Sequence, residues 1–135
     1  MKKNGFTLIE LILCLSILLL FSSSLINYSK SITKKWKTYF GSEIAFQFLH
    51  RIQNNAETVD ADISLTIENN TLLSNSTILK SYQAPSETTL TINQLQLGFK
   101  GSGNTQFAGT LTLSSTELEK EISIGVGIGK ITLKN

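Results

Sequence analysis

The sequence predicts an α+β protein: a long N-terminal helix, its first half transmembrane, packed through its second half on a C-terminal antiparallel β-sheet. Three observations carry that prediction. Residues 8–26 are almost wholly apolar. Between Leu8 and Glu57 there is no proline and one glycine, Gly41, while apolar residues recur at spacings of three, four and seven beyond the span, the signature of an amphipathic helix. From Ala61 onward the apolar period changes to two, the signature of strands.

The first element opens with MKKNGFTLIELILCLSILLLFSSSLINY. At 1.5 Å per residue, residues 8–26 span about 28 Å, close to the roughly 30 Å hydrocarbon core of a bilayer. A secretory signal peptide is the competing reading, with Lys2 and Lys3 as the basic flank, Leu11–Phe21 as the apolar stretch and Ser22–Ser24 as the cleavage site. Glu10 interrupts the start of that stretch. A lipoprotein signal fails because Leu13, a large residue, precedes Cys14. Cys14 is the single cysteine, so the chain has no internal disulfide. A carboxylate within an apolar span costs on the order of 3 kcal/mol at its centre, so Glu10 asks for a partner.

The helix is predicted over Thr7–Asn55, about 75 Å in length. Its second half carries a stripe at Ile32, Trp36, Tyr39, Phe40, Phe46, Leu49 and Ile52, and Ser22–Ser24 are expected to loosen it because serine competes for backbone hydrogen bonds. The predicted strands follow in order. "DISLTIE" and "TLL" are joined by a turn at Asn69-Asn70. "STILKSY" and "TTLTINQLQLGF" are separated by Pro85. "GTLTL" and "KEISIGVGIGKITL" close the chain, the last placing Ile122, Ile124, Val126 and Ile128 on one face. The organisation that results is a leader at residues 1–5, a membrane-spanning half-helix at 6–26, an amphipathic half-helix at 27–56 and a β-rich domain at 57–135.

Charge and local motifs exclude several classes of function. Residues 1–60 carry a net charge of +3 and residues 61–135 a net charge of −1, the latter with five lysines against six acidic residues. No basic stripe marks the sheet half, so no strong DNA site is expected there. "GVGIGK" lacks the spacing of a phosphate-binding loop and reads as a glycine-bearing hairpin. His50, the single histidine, has no nearby cysteine or spaced carboxylate pair, so no metal site or general base is expected. The sequons at Asn69 and Asn75 are short patterns that occur by chance. No nucleophile motif is present, and neither enzymatic activity nor a cofactor is expected. Lys34, Lys35 and Lys37 around Trp36 form a basic-aromatic segment just beyond the span, suited to anionic headgroups.

"KNGFTLIE" followed by an uninterrupted apolar run resembles the class III signal of type IV prepilins and pseudopilins. The resemblance implies cleavage by a prepilin peptidase between Gly5 and Phe6, N-methylation of Phe6, and a role in assembly for Glu10, which becomes the fifth residue of the mature chain. In that family the glutamate pairs with the N-terminal amine of a neighbouring subunit. A buried carboxylate and ammonium then neutralise each other and favour one axial register. The family topology is a single pass, N-terminus cytoplasmic and C-terminal domain outside. Lys30, Lys34, Lys35 and Lys37 outnumber Lys2 and Lys3, against the positive-inside rule, and the motif decides the orientation.

The tail, with Gly103, Asn104, Gly109, Leu111, Gly127, Gly129 and Ile131, resembles the minor pseudopilins of the type II secretion H and pilus FimT group, and more closely the competence D pseudopilin of Gram-positive bacteria. That resemblance implies a structural subunit of a competence or secretion filament in a priming or tip complex. Its partners would be the major pseudopilin, other minor pseudopilins, a polytopic platform protein and a traffic ATPase. The alternative from a different class is a secreted binding module released by ordinary signal peptidase after Ser24.

Overall fold

The computed structural model describes residues 7–134. Helix α1 (Leu8–Val59) precedes nine strands: β1 (Ile63–Glu68), β2 (Thr71–Ser74), β3 (Ser81–Gln83), β4 (Thr89–Ile92), β5 (Leu97–Phe99), β6 (Thr105–Phe107), β7 (Gly109–Ser114), β8 (Glu119–Ile124) and β9 (Ile131–Lys134). The described residues fall into two compact units, divided between Thr33 and Lys34.

The first unit is helical and its large apolar side chains, Leu8 through Ile26, are exposed. By length and composition α1 can cross a membrane. The helix runs unbroken through Ser22–Ser24, contrary to the loosening expected there. The Ser22 hydroxyl donates to the Leu18 carbonyl, four residues back, at 2.7 Å, as that of Ser16 does to Ile12 at 2.8 Å, so both bond within the helix rather than compete with it.

In the second unit the antiparallel strands form two sheets rather than one, ordered β3-β2-β1-β5-β6 and β4-β7-β8-β9. The core joins helix residues Ala45, Phe48, Leu49, Ile52 and Ala56 to side chains from both sheets, among them Leu65, Leu72, Phe99, Leu111, Leu113 and Ile122. A fully buried leucine or isoleucine here contributes roughly 1.5–3 kcal/mol by leaving water. The helix ends four residues later than predicted. Asp60 adopts φ 52° and the Ala61 N–H reaches the Ala56 carbonyl at 3.2 Å, which closes the last turn around a left-handed residue.

The buried face of α1 differs from the predicted stripe. Thr38, Gly41, Ser42, Ala45, Phe48, Leu49, Ile52 and Ala56 face inward, and of the predicted residues only Leu49 and Ile52 are fully covered. Small residues at Thr38–Ala45 let the chain around Pro85 and Thr88 approach the helix closely. Trp36, Tyr39 and Phe40 are instead exposed and satisfy one another: Trp36 stacks on Phe40 at 5.4 Å, and Tyr39 meets both rings edge-on.

Three strand expectations are corrected. "STILKSY" is a strand only at Ser81–Gln83, because the Ser76 hydroxyl accepts the N–H groups of Ile78 and Leu79 and fixes a turn. "TTLTINQLQLGF" splits into β4 and β5, one in each sheet, with Leu95 96 % exposed at the corner. The Asn93 carboxamide accepts the Thr110 N–H at 2.7 Å and holds the corner. The alternation of β8 stops at Ile124. Gly127 and Gly129 have φ of 91° and 70°, the chain leaves the sheet, and Val126 and Ile128 are exposed. The Asn69-Asn70 turn forms as predicted, both residues at positive φ, between β1 and β2.

Candidate assembly site

The N-terminal end of α1 is built by Thr7 and Glu10. The Glu10 Oε2 accepts the Thr7 N–H at 3.0 Å and the Thr7 hydroxyl at 2.9 Å, while the Glu10 N–H donates to the Thr7 Oγ1 at 3.4 Å. This reciprocal pair is a capping box, which satisfies N–H groups that a first turn otherwise leaves bare. Threonine followed three residues later by glutamate, just before an apolar run, is its sequence signal. The charge of Glu10 alone does not reveal this cap. Glu10 is exposed and a carboxylate offers about four acceptor positions, so capping leaves room for a second donor. Gly5 and Phe6, the expected processing residues, lie outside the described residues.

Within the second unit, polar side chains fix the loops against the helix and the sheets against each other. Gln53 donates from Nε2 to the carbonyls of Gly103 and Gly129 at 2.9 and 3.1 Å, holding two loops to one helix position. Asn70 donates to the Thr88 carbonyl and accepts the Leu90 N–H, both at 2.7 Å, so a turn of one sheet grips β4 of the other. The Tyr82 hydroxyl donates to the Gly41 carbonyl at 2.8 Å, and burial pushes its pKa up to about 12. Every buried side-chain nitrogen and oxygen among the described residues has a partner.

The remaining candidate residues are dispersed. His50 is half-buried with its ring edge-on to Phe46 at 4.6 Å. Cys14 is exposed on the apolar half-helix. Among the described residues no three of His, Cys, Asp and Glu gather as metal ligands would. The Gly125–Lys130 segment is a β8–β9 hairpin loop, closed by the Gly125 N–H on the Lys130 carbonyl at 2.9 Å.

Residues 1–26 match the model of the prokaryotic N-terminal methylation motif. No curated protein matches the sequence significantly. Two crystal structures of the type IV minor pilin FimU of Pseudomonas aeruginosa are similar in fold. The first aligns at a TM-score of 0.61 and 15% identity, over 77% of this chain and 92% of that one. The second aligns at 0.57 and 16% identity, over 72% and 92%. The fold is that of a pilin. The apolar helix N-terminus capped by Thr7 and Glu10 lies within the matched motif, ahead of that fold. The β-rich unit that follows is held by packing and by hydrogen bonds between residues far apart in the chain.

Proposed function

We propose that this chain is a minor pseudopilin, a structural subunit of a membrane-derived filament that performs no chemistry itself. The observation that carries the reading is Glu10: a carboxylate on the first turn of a helix whose first half is otherwise almost wholly apolar, within the methylation motif and ahead of a pilin fold. In this reading prepilin peptidase cuts between Gly5 and Phe6, Phe6 is methylated, and Glu10 pairs with the amine of an adjacent subunit. The protein crosses the membrane once, N-terminus inside, and reaches the cell surface when assembled with the major and other minor pseudopilins. The platform protein and traffic ATPase act on it indirectly. In this reading the filament is a competence or type II secretion-like one, and the subunit takes its place in a priming or tip complex.

Mass spectrometry of the mature N-terminus tests this. A chain beginning at methylated Phe6 is expected, and Gly5→Glu is expected to accumulate unprocessed in the membrane because the added side chain blocks a pocket shaped for glycine. A mature chain beginning near Leu25, or normal cleavage of Gly5→Glu, overturns the assignment.

A further inference from the structure

One edge of the five-stranded sheet is β3. Strand β3 bonds to β2 through its even-numbered positions: the Ser74 N–H donates to the Lys80 carbonyl at 2.8 Å, Tyr82 lies opposite Leu72, and the Ala84 N–H donates to the Asn70 carbonyl at 3.2 Å. Ser81 and Gln83 therefore turn their N–H and C=O groups away from the sheet. Among the described residues these outward groups have no partner.

Beside this edge lies a groove of about 580 Å³ between α1 and the segment Ile78–Tyr82. Ile44 and Phe48 contribute apolar surface from the helix, Ile78 from the loop, and Arg51 and Lys80 stand at its rim. Ile44 is 56 % and Ile78 69 % exposed, large values for isoleucines in a folded unit. No acidic residue lines the groove, and neither Arg51 nor Lys80 has an ion pair among the described residues.

We propose that the groove and the β3 edge together form a docking site for an extended, acidic segment of a partner protein, which adds to the five-stranded sheet as a sixth strand. The outward groups of Ser81 and Gln83 recur two residues apart, roughly 6.6–6.8 Å, the repeat of an extended chain. A helix bonds its own backbone internally and cannot satisfy them. The guest residue opposite Tyr82 points to the same face as Tyr82, toward α1, where Ile44 and Phe48 receive an apolar side chain. A guest carboxylate finds Arg51 and Lys80 unpaired. Main-chain pairing gives such an interaction its affinity, and alternate pockets with charge matching give its specificity. This inference does not depend on filament assembly.

Selection of a phage-displayed library of random dodecapeptides on the full chain in detergent micelles tests it. The enriched peptides are expected to carry apolar residues at every second position together with Asp or Glu. The strongest of them, made synthetically, is expected to bind at least about tenfold more weakly to the double variant Arg51→Glu/Lys80→Glu, a factor equivalent to 1.4 kcal/mol. Ser81→Pro is expected to weaken it as well, since it deletes one outward N–H and spares the ladder to β2. The charge-reversal variant changes exposed residues only and keeps the test valid if the proline variant misfolds. Peptides with helical spacing, enrichment without acidic residues, occupation of the site by a second copy of the chain, no enrichment, or unchanged binding by the charge-reversed variant each overturn the proposal.

Discussion

Two roles of Glu10, one observed and one proposed, can be separated by single substitutions. Its carboxylate caps α1 through Thr7 within the chain, and in the proposed filament it meets an amine from another. Glu10→Gln keeps an acceptor for the cap and removes the charge, whereas Glu10→Ala removes both. Both variants are expected to be processed normally and both to lose co-purification with partner subunits, because an amine left unpaired in a dry interface costs about 3–5 kcal/mol. Retention of partners by Glu10→Gln alone would make helix capping the whole role of the residue. Tyr82 gives a second prediction. The folded state holds its phenolic proton up to a pH of about 12, while an unfolded chain releases it near 10. Between those values the unfolded state binds fewer protons, so stability falls as pH rises from about 10 to about 12. Tyr82→Phe is expected to be less stable at neutral pH by about 1 kcal/mol, the worth of its bond to Gly41, and to lose less stability than the parent across that alkaline window. Urea midpoints measured against pH for both proteins check the difference in slope.

At Gly41 the helix meets the chain around Pro85 and Tyr82 at close range. A Cβ there would lie 2.8 and 2.9 Å from the Pro85 ring carbons and 3.3 Å from the Tyr82 hydroxyl. Alanine improves helix propensity by about 1 kcal/mol, but forcing a methyl into a packed contact costs about 1–3. Gly41→Ala is therefore expected to destabilise the second unit by about 1 kcal/mol. That loss lowers its melting temperature by about 4–8 °C, measurable by circular dichroism. An unchanged or raised melting temperature would show that Pro85 moves aside at little cost. The glycine within this unbroken helical pattern is a close-approach site, and the helix pattern alone carries no sign of it.

Across the whole molecule, charge is distributed against a DNA-binding role. The proposed cleavage after Gly5 would take away Lys2 and Lys3 and bring the formal charge from +2 to zero. In the sheet half, Lys134 stands opposite Glu121 on β8, and Lys120 sits between Glu119 and Glu121 with its ammonium 5.4 Å from the Tyr39 ring centre. Duplex affinity rests largely on neutralised phosphates, so binding weaker than about 10⁻⁴ M is expected at physiological salt. Fluorescence anisotropy with labelled duplex measures it. Micromolar binding abolished by Lys130→Ala together with Lys134→Ala would make the subunit a DNA receptor.

The sequence by itself determined the long helix, its apolar first half, the Asn69-Asn70 turn and the α+β class, since each depends on periodicity or turn chemistry that operates within a few residues. It also held signals that a reading by charge and alternation passes over. Thr7 and Glu10 spell a capping box, and the three-residue step from Ile92 to Leu95 breaks the alternation where one predicted strand becomes two. Only the tertiary structure decided which face of α1 is buried. Large aromatics at Trp36, Tyr39 and Phe40 weigh more in a hydrophobic pattern than Thr38, Gly41, Ser42 and Ala45, yet close approach of the chain around Pro85 selects the small residues. The division into two sheets, the Gln53 and Asn70 contacts, and the groove left open beside β3 likewise join residues far apart in the chain. Their positions follow from packing, which a local pattern does not contain.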